Sequence, residues 1–188
     1  RLERAVDLLD AASRIEFYGQ GASGLVAADA QHKFFRLGAP TVAYSDPHVH
    51  GMAASILLAD AVVVAISHTG CSTDVITSAE AALANGARVI GITAAGSPLA
   101  ASCSVTLAAE VHEDTDVYTP MMSRMAHLAI VDVLAIGVAL RRGDAAVQRL
   151  RRTKLTLADT GLRGRTPASA DPGPRPGVSA IHPAHTQT

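Results

Sequence analysis

Apolar residues along this chain follow two alternating rhythms. Short unbroken runs give way to longer stretches in which apolar positions recur every three or four residues. The first rhythm predicts strands buried on both faces, the second amphipathic helices. The clearest run is Val62-Val63-Val64-Ala65-Ile66. It stops at Ser67-His68-Thr69-Gly70-Cys71-Ser72-Thr73-Asp74, and a helical pattern follows through Val75, Ile76, Ala79, Ala82 and Leu83. Ser72 or Thr73 is placed to cap that helix, and Asp74 in its first turn suits the dipole.

The same strand–loop–helix unit recurs on both sides of this stretch. Leu2, Val6, Leu8, Leu9 and Ala12 mark a short helix leading into the strand Arg14–Tyr18. That strand enters Gly19-Gln20-Gly21-Ala22-Ser23-Gly24, then a helix from about Leu25 to Leu37 that ends at Gly38. Its Phe34-Phe35 pair reads as core, and Lys33 and Arg36 read as a solvated face or as cations reaching an anion or a partner subunit. Pro40–Tyr44 is the second strand, with Ser45 or Asp46 capping the next helix and Pro47 at its first position. His48 and His50 there read as loop residues facing solvent or as pocket lining. Asn85-Gly86 ends the central helix, Arg88–Thr93 is the fourth strand, Ser97-Pro98 opens a short helix, and Ser104–Ala108 is the fifth strand. After a polar loop from Glu110 to Tyr118, Pro120 opens the longest helix, Met121 to about Arg142. It is apolar on most sides, interrupted by Arg124, His127 and Asp132, so the sheet or a second subunit must cover it. Five such units predict an α/β fold: a three-layer, doubly wound, five-stranded parallel sheet.

Composition narrows the class. At 188 residues, 48% hydrophobic and 3% aromatic, the chain suits one α/β domain. No unbroken apolar run reaches the roughly 20 residues of a membrane span, and nothing resembles a signal peptide, so no membrane partner is expected. Cys71 and Cys103 have no metal-ligand spacing and the eight histidines are scattered. Reduced thiols in the cytoplasm follow, with neither metal nor cofactor expected. Residues 1–140 hold 7 basic and 14 acidic side chains, a net −7, whereas residues 141–188 hold 9 and 3, a net +6. An acidic body is a poor surface for nucleic acid. The chain therefore divides into a domain at 1–142, a basic helical extension at 143–160 carrying Arg149, Arg151, Arg152 and Lys154, and a tail at 161–188. The tail, rich in Pro, Gly, Ser, Thr and Ala, is expected to be disordered. The first residue is Arg rather than Met, so the chain is expected to be cut from something longer or processed.

Candidate chemistry gathers at two loops. The loop at Ser67–Thr73 places hydroxyls, one glycine and the unpaired amides of a helix start together, a combination that favours phosphate. The plainer reading is a corner whose hydroxyls only cap the helix. Gly19 and Gly21 permit close backbone approach but are weak evidence alone, and no dinucleotide fingerprint or ribose-binding acid accompanies them. In doubly wound sheets, ligands sit beyond the carboxyl ends of the strands where the winding reverses. With the first strand central, that reversal falls between strands 1 and 3, and both loops border one crevice.

Ser67-His68-Thr69-Gly70-Cys71-Ser72 and Tyr18-Gly19-Gln20-Gly21-Ala22-Ser23 resemble the two ligand loops of SIS (sugar isomerase) domains, over residues 1 to about 145. That resemblance implies a flavodoxin-like sheet of order 2-1-3-4-5, a dimer or higher assembly, and a phosphosugar ligand. Ile15–Gly19, Asp29–Arg36 and Val42–His48 look like the sensing half of RpiR-type transcription regulators, most like the HexR branch. The branch implies 2-keto-3-deoxy-6-phosphogluconate or a similar phosphorylated sugar or sugar acid as effector. Ser23 and Ser67 are then the effector-contacting serines, with Thr69, Gly70 and Ser72 on the phosphate. Gly19, Gly21, His68 and Thr73 complete the loops, and Arg124 is a further candidate for ligand or cross-subunit contact. Cys71 departs from the branch, which usually carries a long basic side chain there. DNA binding, on this resemblance, belongs to an amino-terminal helix-turn-helix domain that these residues do not contain. The leading reading is thus a sensor rather than an enzyme. An aldose–ketose isomerase is the alternative, with Glu110, His112, Glu113 and His127 as candidate acid/base groups. A bare phosphosugar-binding subunit is the third.

Overall fold

The structure, a computed structural model, describes residues 1–113 and 120–159. Strands β1 (Arg14–Tyr18), β2 (Thr41–Tyr44), β3 (Ala61–Ser67), β4 (Arg88–Thr93) and β5 (Val105–Ala108) form one parallel sheet in the order β2-β1-β3-β4-β5. Helices α1 (Leu2–Ala11), α2 (Ala22–Phe34) and α6 (Met122–Arg142) cover one face. Helices α3 (Pro47–Ser55), α4 (Thr73–Ala84) and α5 (Pro98–Ala101) cover the other. This is the three-layer, doubly wound sheet that the alternating rhythms predict. Residues of β3 divide by parity: Val62, Val64 and Ile66 enter the core under α2 and α6, while Ala61, Val63 and Ala65 enter the core under α4. Residues 1–153 make one compact unit. Helix α7 (Asp144–Asp159) begins in it, and the helix residues from Lys154 to Asp159 belong to a second.

Local chemistry accounts for most element ends. Asp46 caps α3 by accepting from the amides of His48 and Val49 at 2.8 and 3.3 Å, with Pro47 in the first turn. Ser97 caps α5 through the amide of Ala100 at 3.2 Å. Helix α2 starts at Ala22, a turn before the expected Leu25, because Gly21 at φ 53° turns the chain and the amides of Ser23 and Gly24 bond back to the carbonyl of Gln20. It closes through a short turn, Phe35–Leu37, onto Gly38 at φ 89°.

Several side chains behave differently from their sequence reading. Phe34 packs on Phe17 with ring centroids 5.4 Å apart, but its neighbour Phe35 is largely exposed. Lys33 is not simply solvated: it pairs with Asp29 on its own helix and with Asp132 of α6 at 2.6 Å, tying the two helices together. His50 is fully buried, bonded to the Ser78 hydroxyl at 2.7 Å and stacked on Tyr18, whereas His48 is exposed. The basic helical extension is anchored in its first turns. Ala146 is buried, and Arg142 and Arg149 each donate to the carbonyl of Leu37 at 3.0 Å. The tail at 161–188 and most of the polar loop before α6 lie outside the described residues.

Helix α6 is a long apolar element whose polar and charged residues leave no unbroken run of membrane length. By length and composition it is apolar enough to cross a membrane. Ser123, Arg124, His127 and Asp132 break its apolar run without lowering the average much. Its Val131, Leu134 and Val138 are buried in the core with residues of α1 and α2, while Met122, Met125, Val133, Ile136 and Leu140 are exposed.

Candidate functional site

Strand β3 carries Ser67 to the carboxyl edge of the sheet, and the loop beyond it is folded by its own hydroxyls. The amide of Gly70 donates to Ser67 Oγ at 3.2 Å, and the Ser67 and Ser72 hydroxyls share a bond at 3.1 Å. The amide of Cys71 donates to Thr69 Oγ1 at 3.2 Å. Gly70 has φ 67°, and a Cβ there would collide with the side chains of Ser97 and Thr93. Only glycine meets both conditions. Ser72 stands at the N-cap of α4, yet its hydroxyl makes no cap bond and is turned toward Ser67. The first-turn amides of α4, with their partial positive charge, are therefore not closed by the residue expected to cap them.

The second wall is the loop after β1. A Cβ on Gly19 would sit 2.6 Å from the carbonyl oxygen of Ser23, so glycine lets the first turn of α2 fold tightly back over the strand end. Gln20 donates to Asp74 at 3.3 Å and ties this loop to α4. Together the two loops and the start of α6 enclose a cleft of about 190 Å³. Gln20, Ser23, Ser67, His68, Thr69 and Ser72 form its loop side.

Helix α6 supplies the third wall through Ser123, Arg124 and His127, which one helical face brings together. Glu113 fastens that helix. Its carboxylate accepts from the amides of Met121, Met122 and Ser123 at 3.1, 2.9 and 3.3 Å and from the Ser123 hydroxyl. The Ser123 hydroxyl and these amides hold Glu113 below the usual carboxylate range. Glu113 also stands 4.0 Å from His68 Nε2, so the carboxylate that holds the start of α6 lies near the loop after β3. His127 is 1% exposed, and burial, then the nearby His68, pull its pKa down to about 4. It is therefore neutral near pH 7. Its Nε2 and the Nδ1 of His68 are buried without a hydrogen-bond partner among the described residues.

Of the residues singled out from sequence, Ser23, Ser67, His68, Thr69, Ser72 and Arg124 line this one cleft. Gly19, Gly21 and Gly70 shape its loops, and Thr73, the first residue of α4, is exposed and does not line it. Glu110 and His112 are exposed away from the cleft, while Glu113 and His127 belong to its α6 side. Sequence reasoning did not single out Gln20 or Ser123. Ser123, Arg124 and His127 are the polar residues in the first two turns of an apolar helix, and that clustering was the available signal. Arg124 is the cation lining the cleft and has no ion pair among the described residues. Hydroxyls, helix amides and one guanidinium fit an oxyanion attached to a polar chain. Among the described residues no cluster of three His, Cys, Asp or Glu is placed to hold a metal.

Comparison with known proteins places these features in context. Residues 8–137 match the SIS domain family. The chain is 47% identical over 159 residues to the HTH-type transcriptional regulator HexR of Pseudomonas aeruginosa, covering 85% of this chain and 56% of that protein. It is 44% identical over 141 residues to the bifunctional protein glk of Paraburkholderia xenovorans, covering 75% of this chain and 22% of that one. This chain thus spans little more than half the length of the first relative and under a quarter of the second. Among solved structures, the Vibrio vulnificus NanR protein complexed with ManNAc-6P superposes with a TM-score of 0.78 at 25% identity, covering 85% of this chain and 60% of that one.

Proposed function

Because the chain belongs to the SIS domain family, we propose that it is the phosphosugar-sensing part of a bacterial transcription regulator of sugar catabolism. The observation that carries this reading is the meeting of Ser23, Ser67, Thr69 and Ser72 beside the uncapped start of α4 in one cleft. Four hydroxyls, helix-start amides and Arg124 supply donors for a phosphate monoester without any metal. The ManNAc-6P in the NanR structure supports the same ligand class, and the similarity to HexR supports a transcription regulator. Within that class the effector is 2-keto-3-deoxy-6-phosphogluconate or a close relative. The protein works in the cytoplasm as a dimer or higher assembly, and DNA is read by a helix-turn-helix domain outside these residues. The similarity to part of a bifunctional protein is compatible with a sensing module joined to other domains. Calorimetry of the 188-residue chain against phosphosugars and phosphorylated keto acids tests the reading. Saturable binding of at least one is expected, and no binding across the panel would refute it.

One observation favours an isomerase on the same fold: His68, Glu113 and His127 lie together at the cleft. Their condition argues against acid/base work near neutral pH. Glu113 is occupied by the start of α6 and held ionised, and a His127 with a pKa near 4 is a weak base. Isomer interconversion by the purified chain would reverse the ranking of the two readings.

A further inference from the structure

His127 is the least explained group in the cleft. It is 1% exposed, borders the cleft with Ser123 and Arg124, and its Nε2 has no hydrogen-bond partner among the described residues. Native interiors pair roughly nine in ten of their buried polar groups, so an orphan nitrogen in a cleft wall calls for a reason. Its neighbours do not supply one. The His68 ring lies 6.3 Å away between centroids, with a buried orphan nitrogen of its own, and Ser123 is engaged with Glu113.

We propose that His127 reads an uncharged oxygen, a hydroxyl or carbonyl, on the carbon chain of the phosphorylated ligand, opposite the loop that holds the phosphate. This rests on the phosphosugar reading above and goes beyond it by assigning the end of the site that distinguishes a sugar from a bare phosphate. The chemistry follows from charge. A neutral imidazole offers Nε2 as a single donor or acceptor, according to tautomer, and no countercharge. Such an atom pairs well with a hydroxyl, which both gives and takes a proton, and adds nothing for a second anion. Arg124, three residues back on the same helix, is the group available for an anion. The α6 wall therefore combines one neutral reader with one cationic one.

The test uses the 188-residue chain with three probes: 2-keto-3-deoxy-6-phosphogluconate, N-acetylmannosamine 6-phosphate and inorganic phosphate. If the unmodified chain binds neither sugar phosphate, the phosphosugar reading itself falls. If it binds one, His127→Leu should weaken that binding about three- to tenfold, the loss of one hydrogen bond between uncharged groups. Its affinity for inorganic phosphate should stay within about twofold, since the phosphate donors are intact. The ligand-free melting temperature should hold or rise, because an unpaired polar group is replaced by an apolar one. His127→Gln, which keeps a hydrogen-bonding end, should lose less affinity than His127→Leu. Unchanged sugar-phosphate binding in both variants would overturn the proposal. So would an equal loss for sugar phosphate and inorganic phosphate, or a marked fall in the ligand-free melting temperature of both, either of which makes His127 a packing residue.

Discussion

Alanine at Gly70 is the sharpest test of how the loop after β3 is built, and alanine at Gly21 is its control. Both glycines have positive φ, 67° and 53°, so either substitution forces a side chain into sparsely populated backbone space at a cost of about 1–3 kcal/mol. Their surroundings differ. Nothing lies within 4 Å of a Cβ at Gly21, whereas one at Gly70 runs into Ser97 and Thr93. Relief of that collision must displace Ser97, which caps α5 and bonds Thr93 at 3.3 Å, or else move Gly70 off the Ser67 hydroxyl. Crowding of this kind adds about 1–3 kcal/mol. Gly70→Ala should therefore destabilise the chain by about 2–6 kcal/mol and Gly21→Ala by about half that. Thermal melts resolve the difference, since each kcal/mol moves the midpoint by about 2–4 °C at this size. Where Gly70→Ala remains folded, phosphosugar affinity measured by calorimetry should fall at least about tenfold, because the displaced atoms hold Ser67 and Ser72 in place. Equal melting shifts for the two variants, or wild-type affinity in Gly70→Ala, would refute the packing argument.

Ser23→Ala and Ser67→Ala should each weaken phosphosugar binding about ten- to a hundredfold, as expected for one hydrogen bond to a charged group, and unchanged affinity in both would remove the site assignment. The exposed stripe Met122, Met125, Val133, Ile136 and Leu140 on α6 should make the chain at least dimeric by light scattering at micromolar concentration. Ile136→Asp should yield monomer, and Arg124→Ala should lower either effector affinity or dimer stability. Gel shifts with the 188-residue chain should show no salt-tolerant, sequence-specific DNA binding, because residues 1–140 carry a net −7. A specific, salt-tolerant shift would place DNA reading in these residues.

The sheet was legible because its signals are local and strong. Unbroken apolar runs such as Val62–Ile66 have only one comfortable setting, and the glycine and hydroxyl loops mark the strand ends. Strand order came from the resemblance to SIS domains, and the convergence of the two loops from the winding rule once the first strand is taken as central. What was illegible depends on contacts across the fold. Ser72 looked like a cap, since its position is a cap position, but the nearby Ser67 hydroxyl takes its bond. Nothing local distinguishes a buried His50 from the exposed His48 two residues earlier. Only packing against Tyr18 and Ser78 separates them. Glu113 reads as one acid in a polar loop, yet it fastens the start of a helix eight to ten residues away.

Helix α6 serves both the cleft and the apolar stripe, and this joint use has a thermodynamic consequence. Its first two turns present Ser123, Arg124 and His127 to the cleft while Met122 and Met125 are exposed. The same turns are held by Glu113, which also approaches His68 on the loop after β3. A ligand that orders the loop and touches α6 therefore acts on the residues that would meet a second subunit. If dimerisation uses this stripe, ligand and partner are linked, and linkage is reciprocal: the factor by which ligand changes the dimer constant equals the factor by which dimerisation changes ligand affinity. Sedimentation with and without 2-keto-3-deoxy-6-phosphogluconate gives the first factor. Ligand titrations at protein concentrations below and above the dimer constant give the second. Glu113→Gln, which keeps its shape but loses the charge that holds the α6 amides and faces His68, should bring both factors toward one together. A dimer constant indifferent to a ligand that demonstrably binds would show that the signal leaves the cleft by some element other than α6.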